Sequence, residues 1–203
     1  MWKKRSALYL VPLVLAAAAA GYMVSRQLAR QVPHLASGTA LPAPRPLPAF
    51  ALTDHTGAAF GKARLEGAPA LMFFGFTHCP DVCPTTLALL AQLKREPSMA
   101  ALRPVFVTVD PGRDDTRAIA LYVNAFGGGM IGLRGEAGQL EPLLKDMGVA
   151  HSITPVPGGG YAVDHSAALY YINARGQWSA AFTPPFTLAG LRQDLGTLMA
   201  TGY

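Results

Sequence analysis

The stretch ALMFFGFTHCPDVCPTTLALLAQLK, residues 70–94, decides the reading of the fold. It opens on six apolar residues, Ala70–Gly75, the pattern of a short strand buried on both faces. It closes on Pro84–Lys94, where Leu87, Leu90 and Ala91 recur at helical spacing. Between strand and helix lie two cysteines, Cys79 and Cys83, with three residues separating them. Proline has its backbone preset for a first helical position, so Pro84 predicts Cys83 at or near the N-cap. Free N–H groups and the helix dipole there favour a thiolate.

Outward from this unit the alternation continues. Phe50–Thr53 and Ala58–Phe60 flank Asp54-His55-Thr56-Gly57 and read as a small hairpin. Pro104–Val109 reads as a second buried strand, Asp114–Phe126 as a helix, Met130–Leu133 as a strand and Glu136–Met147 as a helix. Ala162–Ile172 and Trp178–Phe182 predict an antiparallel pair around Asn173-Ala174-Arg175-Gly176, and Leu188–Met199 a closing amphipathic helix. Ser152–Gly160 (SITPVPGGG) reads as a mobile irregular loop. The expected class is α/β, a mixed sheet between helix layers, over residues 46–203.

The rest of the chain predicts a membrane attachment. Residues 1–5 carry Lys3, Lys4 and Arg5 and read as a cytoplasmic N-terminus. Residues 6–25 carry no charge, and at about 1.5 Å per residue they make a helix about 30 Å long, the thickness of a bilayer core. Trp2, Tyr9 and Tyr22 lie near its two ends, where interfacial aromatics sit. The alternative is a cleaved signal peptide, with sites among Ala16–Ala20. Either way the domain is exported, and a single-pass anchor places it on the periplasmic or extracytoplasmic side of the cytoplasmic membrane. Residues 26–45, rich in proline and alanine, read as an extended tether.

Charge and cysteine content exclude other classes. The chain has 203 residues and a net charge of +5, yet residues 1–45 hold six basic residues and no acidic one, while 46–203 are −1. The domain therefore lacks a basic footprint for nucleic acid. Two cysteines exclude a multi-disulfide scaffold and any four-cysteine zinc or iron–sulfur site within one chain. A structural Cys79–Cys83 bridge would close too short a loop to stabilise much. The pair can instead bind a soft metal ion or cycle between dithiol and disulfide. Of five histidines, His165 in Val163-Asp164-His165-Ser166 is the candidate third ligand, on a strand beside the 152–160 loop. Two thiolates and an imidazole suit Cu(I), or Cu(II) with an added weak ligand, whereas zinc would want a fourth. Asp164 is a candidate to orient the site and His78 a candidate auxiliary group.

Thr77-His78-Cys79-Pro80-Asp81-Val82-Cys83-Pro84-Thr85-Thr86-Leu87 resembles the signature of the Sco/SenC copper chaperones. Val109-Asp110-Pro111 with Arg113-Asp114, Ala125-Phe126 with Ile131 to Gly135, and Tyr161 to Ser166 with Tyr171-Ile172 extend the likeness over about residues 46–200. The resemblance implies a thioredoxin-like fold, a single N-terminal transmembrane helix and copper held by Cys79, Cys83 and His165. It implies delivery of copper to a cytochrome c oxidase subunit, with reduction of that subunit's thiols as a further task. A copper donor and a thiol reductant on the same side of the membrane are the partners this requires. Asp110 matches an acidic position near the family's site. The competing classes are a membrane-tethered thiol–disulfide oxidoreductase, which would need the cysteines without His165, and a redox sensor. The three-residue spacing argues against the former, since thioredoxin-type catalysts use two.

Overall fold

The structure, a computed structural model, describes residues 3–29 and 32–203, with side chains over 11–26 and from 32 onward. Trp2 and Arg30, which bear on the expected anchor and its flanks, lie outside the described residues. Helix α1 runs Lys3–Ala29. Val11, Leu13, Val14, Leu15, Met23 and Val24 on it are all exposed. Among the described residues no helix is long and apolar enough to cross a membrane.

The second unit begins at His34. Its strands are β1 (Gly38–Pro46), β2 (Ala51–Asp54), β3 (Ala59–Gly61), β4 (Ala70–Gly75), β5 (Arg103–Thr108), β6 (Ile131–Arg134), β7 (His151–Pro155), β8 (Tyr161–His165), β9 (Leu169–Ile172) and β10 (Gln177–Phe182). Its helices are α2 (Val82–Lys94), α3 (Thr116–Phe126), α4 (Ala137–Asp146) and α5 (Leu188–Thr201). Eight strands form one sheet in the order β1-β10-β9-β4-β5-β6-β2-β3. Strands β4, β5 and β6 are parallel, and the other pairings are antiparallel.

Every residue of β4 is buried, because helices cover both sides of the sheet centre. Met72 and Phe74 pack with Leu140, Leu143 and Leu144 of α4 on one face. The opposite face is covered by α2, which packs on β5 and against α3 and α5. The mixed sheet between helix layers is thus as expected, and β4 begins and ends where the apolar run does.

Three local expectations differ. The tether expected over residues 26–45 is from Gly38 onward the edge strand β1, antiparallel to β10, with Gly38 opposite Phe182 and Pro46 opposite Gln177. A register break between Ala40 and Arg45 accommodates Pro42 and Pro44, which have no N–H to offer a ladder. Secondly, Ala162–Ile172 is not one strand. Residues 166–168 separate β8 from β9, and the Ser166 N–H still follows the ribbon, donating to the Ala150 carbonyl at 2.8 Å. Thirdly, the supposed loop 152–160 supplies most of β7, which pairs with β8 in a ribbon separate from the main sheet. Gly158, Gly159 and Gly160 take positive φ and turn the chain between them. His165 therefore sits at the end of a ribbon, not in the sheet.

β1 is held by one buried carboxylate of α5. Asp194 accepts hydrogen bonds from Ala36 N and Ser37 N at 2.7 Å, from Ser37 Oγ at 2.7 Å and from Gly38 N at 3.0 Å. Burial opposes its ionisation, but these donors outweigh burial and hold its pKa below the ordinary 3.8. Asp194→Ala is expected to cost about 2–3 kcal/mol at neutral pH, by stranding several donors. A carboxylate with a depressed folded pKa stabilises above its unfolded value and stops doing so as pH falls through the folded one. Urea unfolding of wild type and variant should therefore differ at neutral pH and converge in strong acid.

Candidate metal centre

The site lies beyond the carboxyl ends of β4 and β5, where α/β sheets form ligand crevices. The chain leaves β4 at Gly75, and a side chain there would come within 2.8 Å of Cys83 Sγ, so glycine is what lets the cysteine pack against the strand. Residues 76–81 carry Cys79 across the crevice, with its N–H donating to the Phe76 carbonyl at 3.3 Å. Helix α2 then begins at Val82 with Asp81 as its N-cap. This makes Cys83 the second residue of the helix, two positions inside the N-cap place that Pro84 predicts.

Cys83 is fully buried and Cys79 half-buried, and both are free thiols. From the opposite side β8 brings in His165, whose Nε2 is 3.3 Å from Cys83 Sγ. The ring sits edge-on to Phe73 and Phe76, with centroids 5.9 and 5.7 Å away. Its Nδ1 lies 3.0 Å from the Ser166 carbonyl oxygen, which can only accept. Nδ1 therefore carries the proton and Nε2 presents its lone pair to the cysteines. Sγ of Cys79, Sγ of Cys83 and a ring nitrogen of His165 all lie within 4.8 Å of one another.

Burial dominates the electrostatics. It lowers the His165 pKa below the ordinary 6.5, against the opposing effects of the Ser166 carbonyl and Asp164, so the ring stays neutral and able to ligate. It also pushes the Cys83 thiol well above its ordinary 9.0, with Cys79 and Asp114 adding to the effect. The expected thiolate at the helix start is thus not what the metal-free site favours, because removal from water outweighs the dipole. A bound cation would reverse this, since coordination removes the thiol protons.

The supporting residues differ from those first considered. Asp164 lies opposite Ser152 on the exposed side of the ribbon, and Ser166 takes over the orienting role. His78 is exposed, with Nδ1 3.0 Å from Thr77 Oγ1, and is not among the converging donors. Asp110 is buried and reaches the site through the ribbon: its Oδ1 accepts from the Tyr161 hydroxyl at 2.7 Å, and its other oxygen pairs with Arg113 Nε. Asp114 accepts from Thr77 N at 2.9 Å, Thr77 Oγ1 at 2.6 Å and Thr108 Oγ1 at 2.6 Å, which fixes the start of the cysteine loop. Sequence reasoning gave Arg113, Asp114, Thr77, Thr108 and Tyr161 no role. The available signal was two carboxylates and an arginine packed into five residues after a strand, Asp110-Pro111-Gly112-Arg113-Asp114.

The geometry defines a class: a mixed α/β domain with two thiols and an imidazole gathered at the end of its central strand. The chain belongs to the SCO1/SenC family, whose profile matches residues 39–200. The mouse mitochondrial protein SCO2 homolog is 43% identical over 132 residues, 63% of this chain and 52% of that protein. The chain thus spans about half the length of the curated mammalian relatives it matches. Arabidopsis thaliana ScoI, solved with copper bound, superposes with a TM-score of 0.69 at 29% identity, covering 74% of this chain and 95% of that one. Bradyrhizobium japonicum ScoI, also with copper bound, gives 0.67 at 32% identity, covering 74% and 97%.

The unequal burial of the two cysteines has a direct chemical consequence. Iodoacetamide should alkylate Cys79 at least about tenfold faster than Cys83 in the metal-free reduced chain. Peptide mass spectrometry over a time course reads both rates, and equal rates would contradict the burial described.

Proposed function

We propose that this chain is a membrane-anchored copper-binding assembly factor that carries copper on Cys79, Cys83 and His165 to the copper site of cytochrome c oxidase. The observation that carries the reading is the approach of His165 Nε2 to 3.3 Å from Cys83 Sγ, with Cys79 inside the same 4.8 Å group. The donor set fits the ion: two sulfurs and one nitrogen match Cu(I) in three-coordinate geometry and accept Cu(II) with one weak further ligand. The copper-bound relatives support the same assignment. An oxidoreductase would have no need of a remote histidine held neutral beside a buried cysteine.

Copper and a Cys79–Cys83 disulfide exclude each other, because both consume the same two sulfurs. In an oxidising compartment the site therefore needs a dithiol reductant, which gives up two electrons and two protons to regenerate the thiols. The reduced pair can pass two electrons and two protons to a disulfide at the oxidase copper site, becoming a Cys79–Cys83 disulfide that the reductant must open again before copper is loaded and transferred. A copper donor on the same side of the membrane completes the cycle. Residues 6–25 anchor the chain in the cytoplasmic membrane, with the domain on the periplasmic side. The exposed apolar side chains of α1 support this, since water is a poor neighbour for them. Alkaline extraction of membranes should leave the chain in the pellet.

Reduced full-length protein is expected to bind one copper ion. Cys79→Ser or Cys83→Ser should abolish binding, and His165→Ala should weaken it at least about tenfold. X-ray absorption at the copper edge should show sulfur and nitrogen scatterers in wild type, with nitrogen lost in His165→Ala. Unchanged affinity in His165→Ala would refute the three-donor site. Affinity should also fall with pH, because protons compete for sulfur and ring nitrogen; the depressed pKa of His165 confines the imidazole's part of that loss to below 6.5.

A further inference from the structure

His165 reaches the cysteines from a ribbon that hydrogen-bonds to no strand of the main sheet. Something other than a strand ladder must fix its position. Among the described residues, and apart from His165 itself, the hydrogen bonds from β7 and β8 to the body of the domain end on Asp110 and Arg113. The Tyr161 hydroxyl donates to Asp110 Oδ1 at 2.7 Å, and Arg113 Nη1 donates to the Tyr161 carbonyl at 3.3 Å. The Arg113 guanidinium lies 4.1 Å from the Tyr161 ring centre and 5.7 Å from that of Phe76. It therefore stands between the ribbon and the cysteine loop, in cation–π contact with both. Asp110 binds Arg113 Nε with its second oxygen and is itself buried. At Gly112 a side chain would come within 3.3 Å of the Tyr161 hydroxyl, so the loop leaves room for the phenol.

We infer that Tyr161, Arg113 and Asp110 form a latch that positions His165 over the two cysteines, Tyr161 and Arg113 being positioning residues for the metal site. The latch grips β8 at Tyr161, and His165 ends the same strand, so fixing one end aims the other. The side-chain alternation of a strand puts 161, 163 and 165 on one face, and Val163 between them is buried. Loss of the latch frees the ribbon while leaving Cys79 and Cys83 in place, because Asp114 holds their loop through Thr77 independently. The effect on copper rests on the proposed function; the effect on the ribbon does not.

Tyr161→Phe keeps the ring beneath Arg113 and removes only the hydroxyl. In the metal-free full-length chain, backbone amides of β7 and β8 are expected to exchange with deuterium about tenfold faster than in wild type, with β4 and β5 unchanged. Copper affinity should fall about tenfold, and so should that of Arg113→Lys, which keeps the charge and loses the fork. In a His165→Ala background, Tyr161→Phe should leave copper affinity where it is, because the residue acts only through the histidine. Unchanged ribbon exchange in Tyr161→Phe would overturn the latch. An equal affinity loss in both backgrounds would overturn its action through His165. Should wild type bind no copper, the proposed function falls, while the exchange arm still decides the latch.

Discussion

Asp114 has no exposed surface, and its carboxylate accepts three hydrogen bonds from Thr77 and Thr108. A buried carboxylate is tolerated only when its lone pairs are met in this way. The constraint it imposes is geometric. Thr108 ends β5 and Thr77 opens the cysteine loop after β4, so one side chain ties together the exits of two adjacent parallel strands. Arg134 of β6 reinforces the tie from the next strand, donating to the Asp114 carbonyl at 3.3 Å and to that of Pro111 at 3.2 Å. Four residues earlier Asp110 faces the ribbon. A single short loop thus addresses both halves of the metal centre, sulfur through Asp114 and nitrogen through Asp110.

The donor set is divided between two elements of different stiffness. The sulfur half is built into the sheet and α2. The nitrogen half rides on a two-stranded ribbon, and such a pair is marginal alone in water. Its attachment rests on buried Val163, on Tyr161 and the His165 ring packed against core aromatics, and on a few polar groups, with no strand ladder to the sheet. A donor set divided between a stiff element and a softer one can lose one ligand without unfolding the rest.

Local pattern made the central strands legible: β4 is an uninterrupted apolar run, and its bounds in the sequence and the structure coincide. Cys79, Cys83 and His165 were legible as candidates because two cysteines between a strand and a helix have few other uses. What escaped was long-range. Ser152–Gly160 is polar and glycine-rich, which says loop, but Ser152–Pro155 become strand only because Tyr161–Asp164 lie across from them. Asp164 looked suited to orient the histidine by adjacency, yet neighbours along a strand face opposite ways, and a carbonyl one residue further on does the work. Cys83 looked ionised from its place near a helix start, whereas burial, a property of the whole packing, sets its protonation.

The edge of the sheet carries a consequence for association. β1 is an outermost strand and carries Pro42, Pro44 and Pro46, while the other outermost strand, β3, is three residues long. An open strand edge is a template on which a second chain can add, and prolines and brevity are two devices that blunt it. The residues that looked like mere spacer thereby leave this edge a poor template for a further strand.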